Sequence, residues 1–202
     1  MTSEPLSNSK FVSADFLPLV GVLADHSNDP LTLGMFFFTA TINSWKLVFN
    51  DVYKKIVTDS LQWLQDTKRA RIHGFIVMPN HIHLLWSPYP YYDVAKIENM
   101  LLSFTAHAFK KQLALNDPGM LNEYVSTQHD RKYHFWERRS RTIEVMSRAI
   151  VLQKLDYMHL NPISGRWCLV SLPEQYNFSS ARFYLLNEKS FPFLSITLII
   201  FK

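Results

Sequence analysis

A short turn between two apolar segments constrains the fold of this chain more than any other feature of its sequence. Residues 72–78 and 82–86 are rich in β-branched and large apolar side chains, and Pro79 and Asn80, residue types typical of turns, lie between them. Two strands joined by so short a connection lie antiparallel and side by side in one sheet. The sequence therefore predicts a β-hairpin near the middle of the chain.

The segments on either side of this hairpin alternate between strand and helix patterns. Residues 35–43 and 135–143 are predicted as further strands. Apolar side chains repeat at helical spacing in three segments, residues 50–66, 92–115 and 145–160. This order predicts an α+β fold, a ferredoxin-like βαββαβ sandwich with an additional C-terminal helix that carries Tyr157.

The same patterns divide the chain into three parts. Residues 1–34 lack clear periodicity and contain Pro5, Pro18 and Pro30, so we expect a partly ordered extension there. Residues 35–185 form the predicted domain, and residues 186–202 form an apolar tail that is too short for a membrane span. We therefore expect no membrane partner.

Charge and cysteine content narrow the functional classes. The net charge is +4 and the pI is about 9.1, which is compatible with a polyanionic partner without establishing one. Cys168 is the only cysteine, which excludes an intramolecular disulfide and a cysteine-rich zinc site. The simplest expectation is a reducing, cytoplasmic location.

Two histidines directly follow the turn and share one face of the third predicted strand. Alternation along the strand places His81 and His83 on the same side and Ile82 on the other. Two neighbouring imidazoles on a rigid strand can bind a divalent cation. The alternative is a pair of polar side chains on a solvated face.

A second chemical motif lies in the last predicted helix. Tyr157 and Asn161 are one helical turn apart and share a face, which Lys154 extends by a further turn. The Asn161 amide oxygen could complete a metal site begun by the histidines, which would place the Tyr157 phenol beside the metal. A phenol attacking a phosphate so activated would form a covalent ester. The alternative is a tyrosine that packs on the sheet and an asparagine that caps the helix.

A basic and aromatic stretch precedes this helix. Cations can pair with phosphates, and aromatic rings can stack on unpaired bases. The predicted DNA-contacting residues here are Arg131, Lys132, Trp136, Arg138, Arg139 and Arg141, with Lys154 on the helix that follows. The alternative is a solvated loop whose aromatic rings enter the core.

Together these motifs resemble the HUH-type tyrosine transposases, and in particular the REP-associated tyrosine transposases, relatives of small insertion-sequence transposases. Five segments carry the resemblance in the family order, residues 74–85, 103–105, 135–138, 155–162 and 178–181. The N-terminal lead-in is longer than is usual in the family, and the apolar ending after residue 193 is not a feature of it.

The resemblance implies an enzyme that cleaves and rejoins single-stranded DNA at short imperfect hairpins. It implies a Mg or Mn cofactor held by His81 and His83, with Asn161 at the position of the third ligand. It implies attack by Tyr157, which leaves a 5′-phosphotyrosine and a free 3′-hydroxyl. The expected setting is a bacterial cytoplasm, at the nucleoid when DNA is bound, with the protein a monomer or a homodimer.

Two other functions remain open from the sequence. A non-catalytic protein derived from such a transposase would still bind hairpin DNA, and a metal hydrolase would attack with water and use Tyr157 only structurally. Only the enzyme that attacks DNA through Tyr157 would form a covalent protein–DNA adduct, so trapping this adduct distinguishes it from both alternatives.

Overall fold

A four-stranded antiparallel sheet forms the centre of the molecule. The computed structural model describes residues 34–127, 129 and 131–195. The strand order in the sheet is β2-β3-β1-β4. The strands are β1 (Phe36–Thr41), β2 (Ala70–Val77), β3 (His81–Pro88) and β4 (Arg141–Glu144), and each neighbouring pair is antiparallel.

Within the described residues five α-helices accompany the sheet, and the three longest begin at a polar side chain that accepts backbone N–H groups. Asn50 accepts from Val52 at 3.0 Å, Asp93 from Lys96 at 2.9 Å, and Ser147 from Ile150 at 3.4 Å. The helices are α1 (Asp51–Asp66), α2 (Val94–Asn116), α3 (Pro118–Asn122), α4 (Arg148–Leu160) and α5 (Ala181–Leu186). The predicted βαββαβ order with one further helix is confirmed, and Tyr157 lies on that helix, α4.

The two faces of the sheet pack against different helices. On one face, Ile82, Leu84 and Trp86 join a large core with the buried sides of α1 and α2. On the other face, residues such as Phe37 and Leu85 pack against the buried side of α4. Because side chains alternate along β3, its even-numbered residues serve the first core and its odd-numbered residues, including both histidines, face the α4 side.

The fourth strand differs from its prediction. It begins at Arg141, whereas Phe135 and Trp136 lie buried in the core on the α2 side, with Trp136 forming a single bridge to Ile42. The chain therefore places two aromatic rings in the core before it joins the edge of the sheet. The periodicity of strand residues does not predict this path.

The C-terminal segment packs against the free edge of β2. Phe193 is buried against Phe75, with ring centroids 5.3 Å apart, and the Ser195 N–H donates to the Ile72 carbonyl at 2.8 Å. Residues 1–33 and 196–202 lie outside the described residues, so the predicted division into extension, domain and tail stays a prediction. In the described part of the chain, no helix is long and apolar enough to cross a membrane.

Candidate active site

His81 and His83 lie side by side in the centre of the sheet. They pair with Thr41 and Thr39 of β1, and their ring centroids are 4.9 Å apart. Both side chains are buried beneath the α4 side of the sheet. The predicted shared face is therefore present, but it is not a solvated one.

Each imidazole is held through Nδ1. The Asn80 amide nitrogen donates to the Trp45 carbonyl at 2.9 Å, so its Oδ1 faces His81 Nδ1, 2.8 Å away, and must accept a hydrogen bond from the Nδ1–H group. His83 Nδ1 lies 2.8 Å from the Thr39 hydroxyl. This arrangement leaves Nε2 of His81 with its lone pair, and it leaves Nε2 of His83 buried with no hydrogen-bond partner among the described residues.

Burial keeps both rings neutral. It lowers the pKa of His81 to about 4, with the charge of Arg166 adding to the effect. Burial also lowers the pKa of His83 to about 3, with the charges of His81 and Lys154 contributing. At neutral pH the two rings therefore present unprotonated nitrogen atoms, the form in which imidazole binds metal ions.

These features fit a divalent metal ion. An oriented Nδ1 and an unpaired, buried Nε2 are what a ligating histidine needs. Within the described residues, no cluster of three or more His, Cys, Asp or Glu side chains is placed to hold a metal. Further ligands would have to be of another type, such as an amide oxygen, water or a phosphate oxygen of DNA.

Tyr157 lies directly against His83. Its ring centroid is 5.2 Å from that of His83 and 6.2 Å from that of Phe37, and Phe37 in turn stacks on His83 at 5.4 Å. Tyr157 is about half exposed, at 51%. The fold therefore brings together, within one chain, two motifs that are far apart in sequence, and it leaves the phenol accessible to a large substrate.

Close packing of α4 on β2 sets the position of Tyr157. Val151, Leu155 and Met158 are buried on the inner side of α4. A Cβ atom at Gly74 would lie 2.7 Å from Leu155 Cδ2 and 3.0 Å from Met158 Cε, so the helix can approach this closely only where β2 has no side chain. A further tether is His159, whose Nε2 lies 2.9 Å from the buried Ser180 hydroxyl.

Asn161 lies at the end of the same helix. It is the first residue of the 3₁₀ turn Asn161–Ile163 and is buried, and its backbone N–H caps α4 by donating to the Met158 carbonyl. Its role as the third metal ligand stays a prediction.

The predicted DNA-contacting residues fall into two groups on opposite sides of the sheet. The Lys154 ammonium lies 5.0 Å from the Phe37 ring centroid and 6.0 Å from that of Tyr157. Arg141 pairs directly with Thr39 across β1 and β4, which places its exposed side chain on the His83 face. These two cations therefore lie on the same side of the sheet as Tyr157.

The other group lines a groove against α2, on the face away from Tyr157. Arg131, Arg138 and Arg139 border this groove of about 880 Å³ together with Ser103 and His107. The exposed Lys132 belongs to the same loop, and its ammonium lies 5.7 Å from the Tyr133 ring centroid.

Trp136 differs from the cations around it. It is buried, packs on Phe49 and Phe109, and donates its indole N–H to Thr105 at 3.0 Å. For this ring the structure favours the alternative, a place in the core, over base stacking.

Several neighbours of the histidines were not singled out from the sequence. Thr39 and Asn80 orient the imidazoles. Trp167 packs beside His81, with ring centroids 5.8 Å apart, and the Arg166 guanidinium contacts the rings of both Trp167 and Trp45. Among these residues, only Asn80 belongs to a local sequence signal, the turn dipeptide Pro79–Asn80 before His81. The contact of the Thr39 hydroxyl depends on the register between strands, and the Trp167 ring comes from a distant loop, so no local pattern indicates either. Cys168, next to Trp167, is exposed.

A family model described as "Transposase IS200 like" matches residues 37–151. The chain belongs to the IS200-like transposase family. The matched part of this transposase-family chain runs from β1 into α4; it includes His81 and His83 and ends six residues before Tyr157. Among curated proteins, none matches the chain in sequence.

The chain is similar to solved structures. One is described as "Structure of the REP associates tyrosine transposase bound to a REP hairpin"; it is 15% identical, with a TM-score of 0.57, over 87% of this chain and 90% of that one. Another is the crystal structure of a candidate transposase from Deinococcus radiodurans R1, 16% identical with a TM-score of 0.43, over 61% of this chain and 89% of that one. The first supports the same architecture over nearly the whole length of both chains.

Proposed function

We propose that this transposase-family protein cleaves and rejoins single-stranded DNA at hairpin elements, with Tyr157 as the nucleophile. The observation that carries the proposal is the contact between the half-exposed Tyr157 ring and the buried imidazole of His83, with centroids 5.2 Å apart. An accessible phenol beside a neutral imidazole, with a second neutral imidazole next to that one, supports this role for Tyr157.

The chemistry is a transesterification. The Tyr157 oxygen attacks a backbone phosphorus and loses its proton to solvent, while the bond from phosphorus to the 3′ oxygen breaks and that oxygen takes up a proton. The products are a 5′-phosphotyrosine and a free 3′-hydroxyl. Attack by a 3′-hydroxyl on the ester reverses the step and rejoins DNA, because no phosphodiester bond energy has been lost to water.

His81 and His83 would hold a Mg or Mn ion, with the Asn161 amide oxygen as a further ligand. When bound, such an ion makes a phosphate more electrophilic and stabilises the charge that develops on its oxygen atoms. Lys154 and Arg141, which lie on the same side of the sheet, would hold the negatively charged backbone against the phenol.

A hairpin with a single-stranded flank is the substrate class that we favour. The structural relative described above was solved with a REP hairpin bound. In this chain the phenol lies on the surface of a folded domain, where an unpaired, flexible strand can bend to present a phosphate in line with it. Perfect duplex has a stiffer backbone and is the expected poorer substrate.

Covalent trapping tests the proposal. A single-stranded hairpin library labelled at its 3′ end is incubated with protein and Mn, and the adduct is resolved on a denaturing gel. Tyr157→Phe should abolish the adduct because it removes only the attacking oxygen, whereas Tyr91→Phe, at a fully exposed tyrosine outside the site, should leave it intact. His81→Ala and His83→Ala should each lose the adduct as well.

The alternatives give different results. A non-catalytic hairpin-binding protein would retain the DNA in every variant and form no adduct. A hydrolase that attacks with water would cleave DNA equally well with phenylalanine at position 157. An adduct that persists in Tyr157→Phe would refute the assignment of the nucleophile.

A further inference from the structure

An exposed tryptophan occupies a strained turn beside the histidine pair. Trp45 has a φ of 57°, and Ser44 before it has a φ of 58°, so both lie in the left-handed region that suits glycine and disfavours a bulky side chain. Trp45 is nevertheless 59% exposed. Core packing therefore does not account for a large ring at this position.

Hydrogen bonds from three directions hold this turn. The Ser44 N–H donates to the Glu137 carboxylate at 2.7 Å, and the Trp45 N–H donates to the Ile42 carbonyl at 2.9 Å. The Trp45 carbonyl accepts from Asn80 at 2.9 Å. Backbone strain that is fixed so firmly is typical of functional sites.

A guanidinium group lies near both this ring and a second one. The Arg166 guanidinium carbon is 5.8 Å from the Trp45 ring centroid and 4.9 Å from the Trp167 ring centroid. Both distances fall in the range of cation–π contacts. No carboxylate among the described residues forms an ion pair with Arg166, so the charge and its N–H groups stay available to an anion.

This cluster adjoins the proposed active site. The Trp167 ring centroid is 5.8 Å from that of His81. Asn80 joins the two parts directly, since one end of its amide contacts the Trp45 carbonyl and the other contacts His81. A strand whose phosphate lies at the histidines would carry its neighbouring nucleotide toward Trp45 and Arg166.

We propose that Trp45, Arg166 and Trp167 form a subsite for one unpaired nucleotide next to the cleaved phosphate. Arg166 binds the phosphate of that nucleotide through its N–H groups, and Trp45 stacks on the base. The subsite deepens the function proposed above and rests on it, because an unpaired strand must reach the histidines.

The chemistry of the three side chains fits this ligand. A guanidinium that stacks on rings still presents its N–H donors at its edge, in the spacing that phosphate oxygens accept. An indole face stacks on any base without reading its sequence. Buried duplex bases cannot reach such a face, so the subsite selects unpaired DNA.

Binding measurements in a Tyr157→Phe background test the subsite without any covalent trapping. The probe is a fluorescent oligothymidylate of about 12 nucleotides, a length that exceeds one such site. The variants are Trp45→Ala, Trp45→Gly and Arg166→Gln. Trp45→Gly removes the ring while suiting the left-handed backbone, so a melting temperature at or above that of the parent separates loss of the ring from loss of the fold.

The two kinds of variant should differ in a defined way. Loss of the Trp45 ring should weaken binding about 10-fold and leave the salt dependence unchanged. Arg166→Gln should weaken binding and also reduce the slope of log K against log salt by about 0.7, the value for one phosphate contact with a single strand. Trp63→Ala is the matched control, because Trp63 is also exposed and contacts an arginine, but it lies on α1, which packs on the other face of the sheet.

The outcomes separate the subsite from the proposed catalysis. Parent-like binding by folded Trp45 and Arg166 variants overturns the subsite, even where Tyr157 forms the adduct. The same holds for a parent protein that fails to bind the oligothymidylate. Weakened binding with the expected salt slopes supports the subsite, even where trapping shows no adduct and the proposed catalysis fails.

Discussion

At His83, one ring nitrogen is held by Thr39 and the other is buried without a partner among the described residues. Leaving a buried polar atom unpaired costs about 1–3 kcal/mol. Such a cost is typical of a position that binds a ligand rather than of a residue that only fills the core.

Replacing Thr39 tests whether this orientation matters for metal binding. Thr39→Val keeps the shape of the side chain and removes the hydroxyl that meets His83 Nδ1. We expect Mn affinity to fall about 10- to 100-fold, the usual effect of losing an orienting partner of a ligating histidine. Calorimetric titration measures it, and Thr39→Ser, which restores a hydroxyl, should recover most of the affinity. Equal affinities in all three proteins would argue against a metal at His83.

The site residues that could be predicted from the sequence follow from local patterns, whereas those that were missed depend on long-range structure. The shared face of His81 and His83 follows from alternation along a single strand. Thr39 depends on the register between β1 and β3, and Trp45 reaches the site through a turn whose backbone conformation is unusual for tryptophan. Neither the register nor that conformation can be derived from a residue pattern.

At the scale of elements, the position of the nucleophile depends on how closely α4 approaches the sheet. At Gly74 of β2 the helix leaves no room for a side chain, because Leu155 and Met158 occupy the space that a side chain would take. The contact between Gly74 and α4 therefore aligns Tyr157 with the two histidines, although none of these three residues takes part in it.

A side chain at position 74 should disturb that alignment. Gly74→Val must push Leu155 and Met158 away, and we expect the free energy of unfolding to fall by about 1–3 kcal/mol. Urea denaturation measures this loss, and the yield of covalent adduct should drop more than hairpin binding does. Gly119→Ala is the control, since its new Cβ would meet only Asp117 Oδ1 at 3.4 Å. Unchanged stability and adduct yield in Gly74→Val would show that the close approach is unimportant.

The elements themselves could largely be predicted. Strong periodicity and the turn residues placed α1 and the hairpin within a few residues of their observed bounds. β4 could not be placed as well, because Phe135 and Trp136 resemble strand residues but pack under α2. Tertiary packing decides whether such an aromatic pair lies in a strand or in the core, and a local sequence pattern does not indicate which.

Across the whole molecule, buried neutral histidines make stability depend on pH. Burial lowers the pKa of His159 to about 3 and that of His73 to about 4. Their unfolded pKa is about 6.5, so the unfolded chain binds more protons below that value, and stability is lost as pH falls from about 6.5 toward the folded values. Each ring should cost about 1 kcal/mol between pH 7 and pH 5.5.

Urea denaturation at the two pH values checks this expectation. His159→Gln can keep a hydrogen bond to Ser180 but does not titrate, so its loss of stability between pH 7 and pH 5.5 should be smaller by about 1 kcal/mol. An identical loss in the parent and the variant would mean that His159 is not held neutral in the folded protein.

The exposed thiol of Cys168 gives this protein a built-in attachment point. It is the only cysteine in the chain, and it directly follows Trp167. A maleimide dye would therefore label one position without any prior mutagenesis, a single residue away from the proposed nucleotide subsite. Quenching of that dye by a nucleobase would report, in real time and in the wild-type protein, when a strand arrives beside His81 and when it leaves.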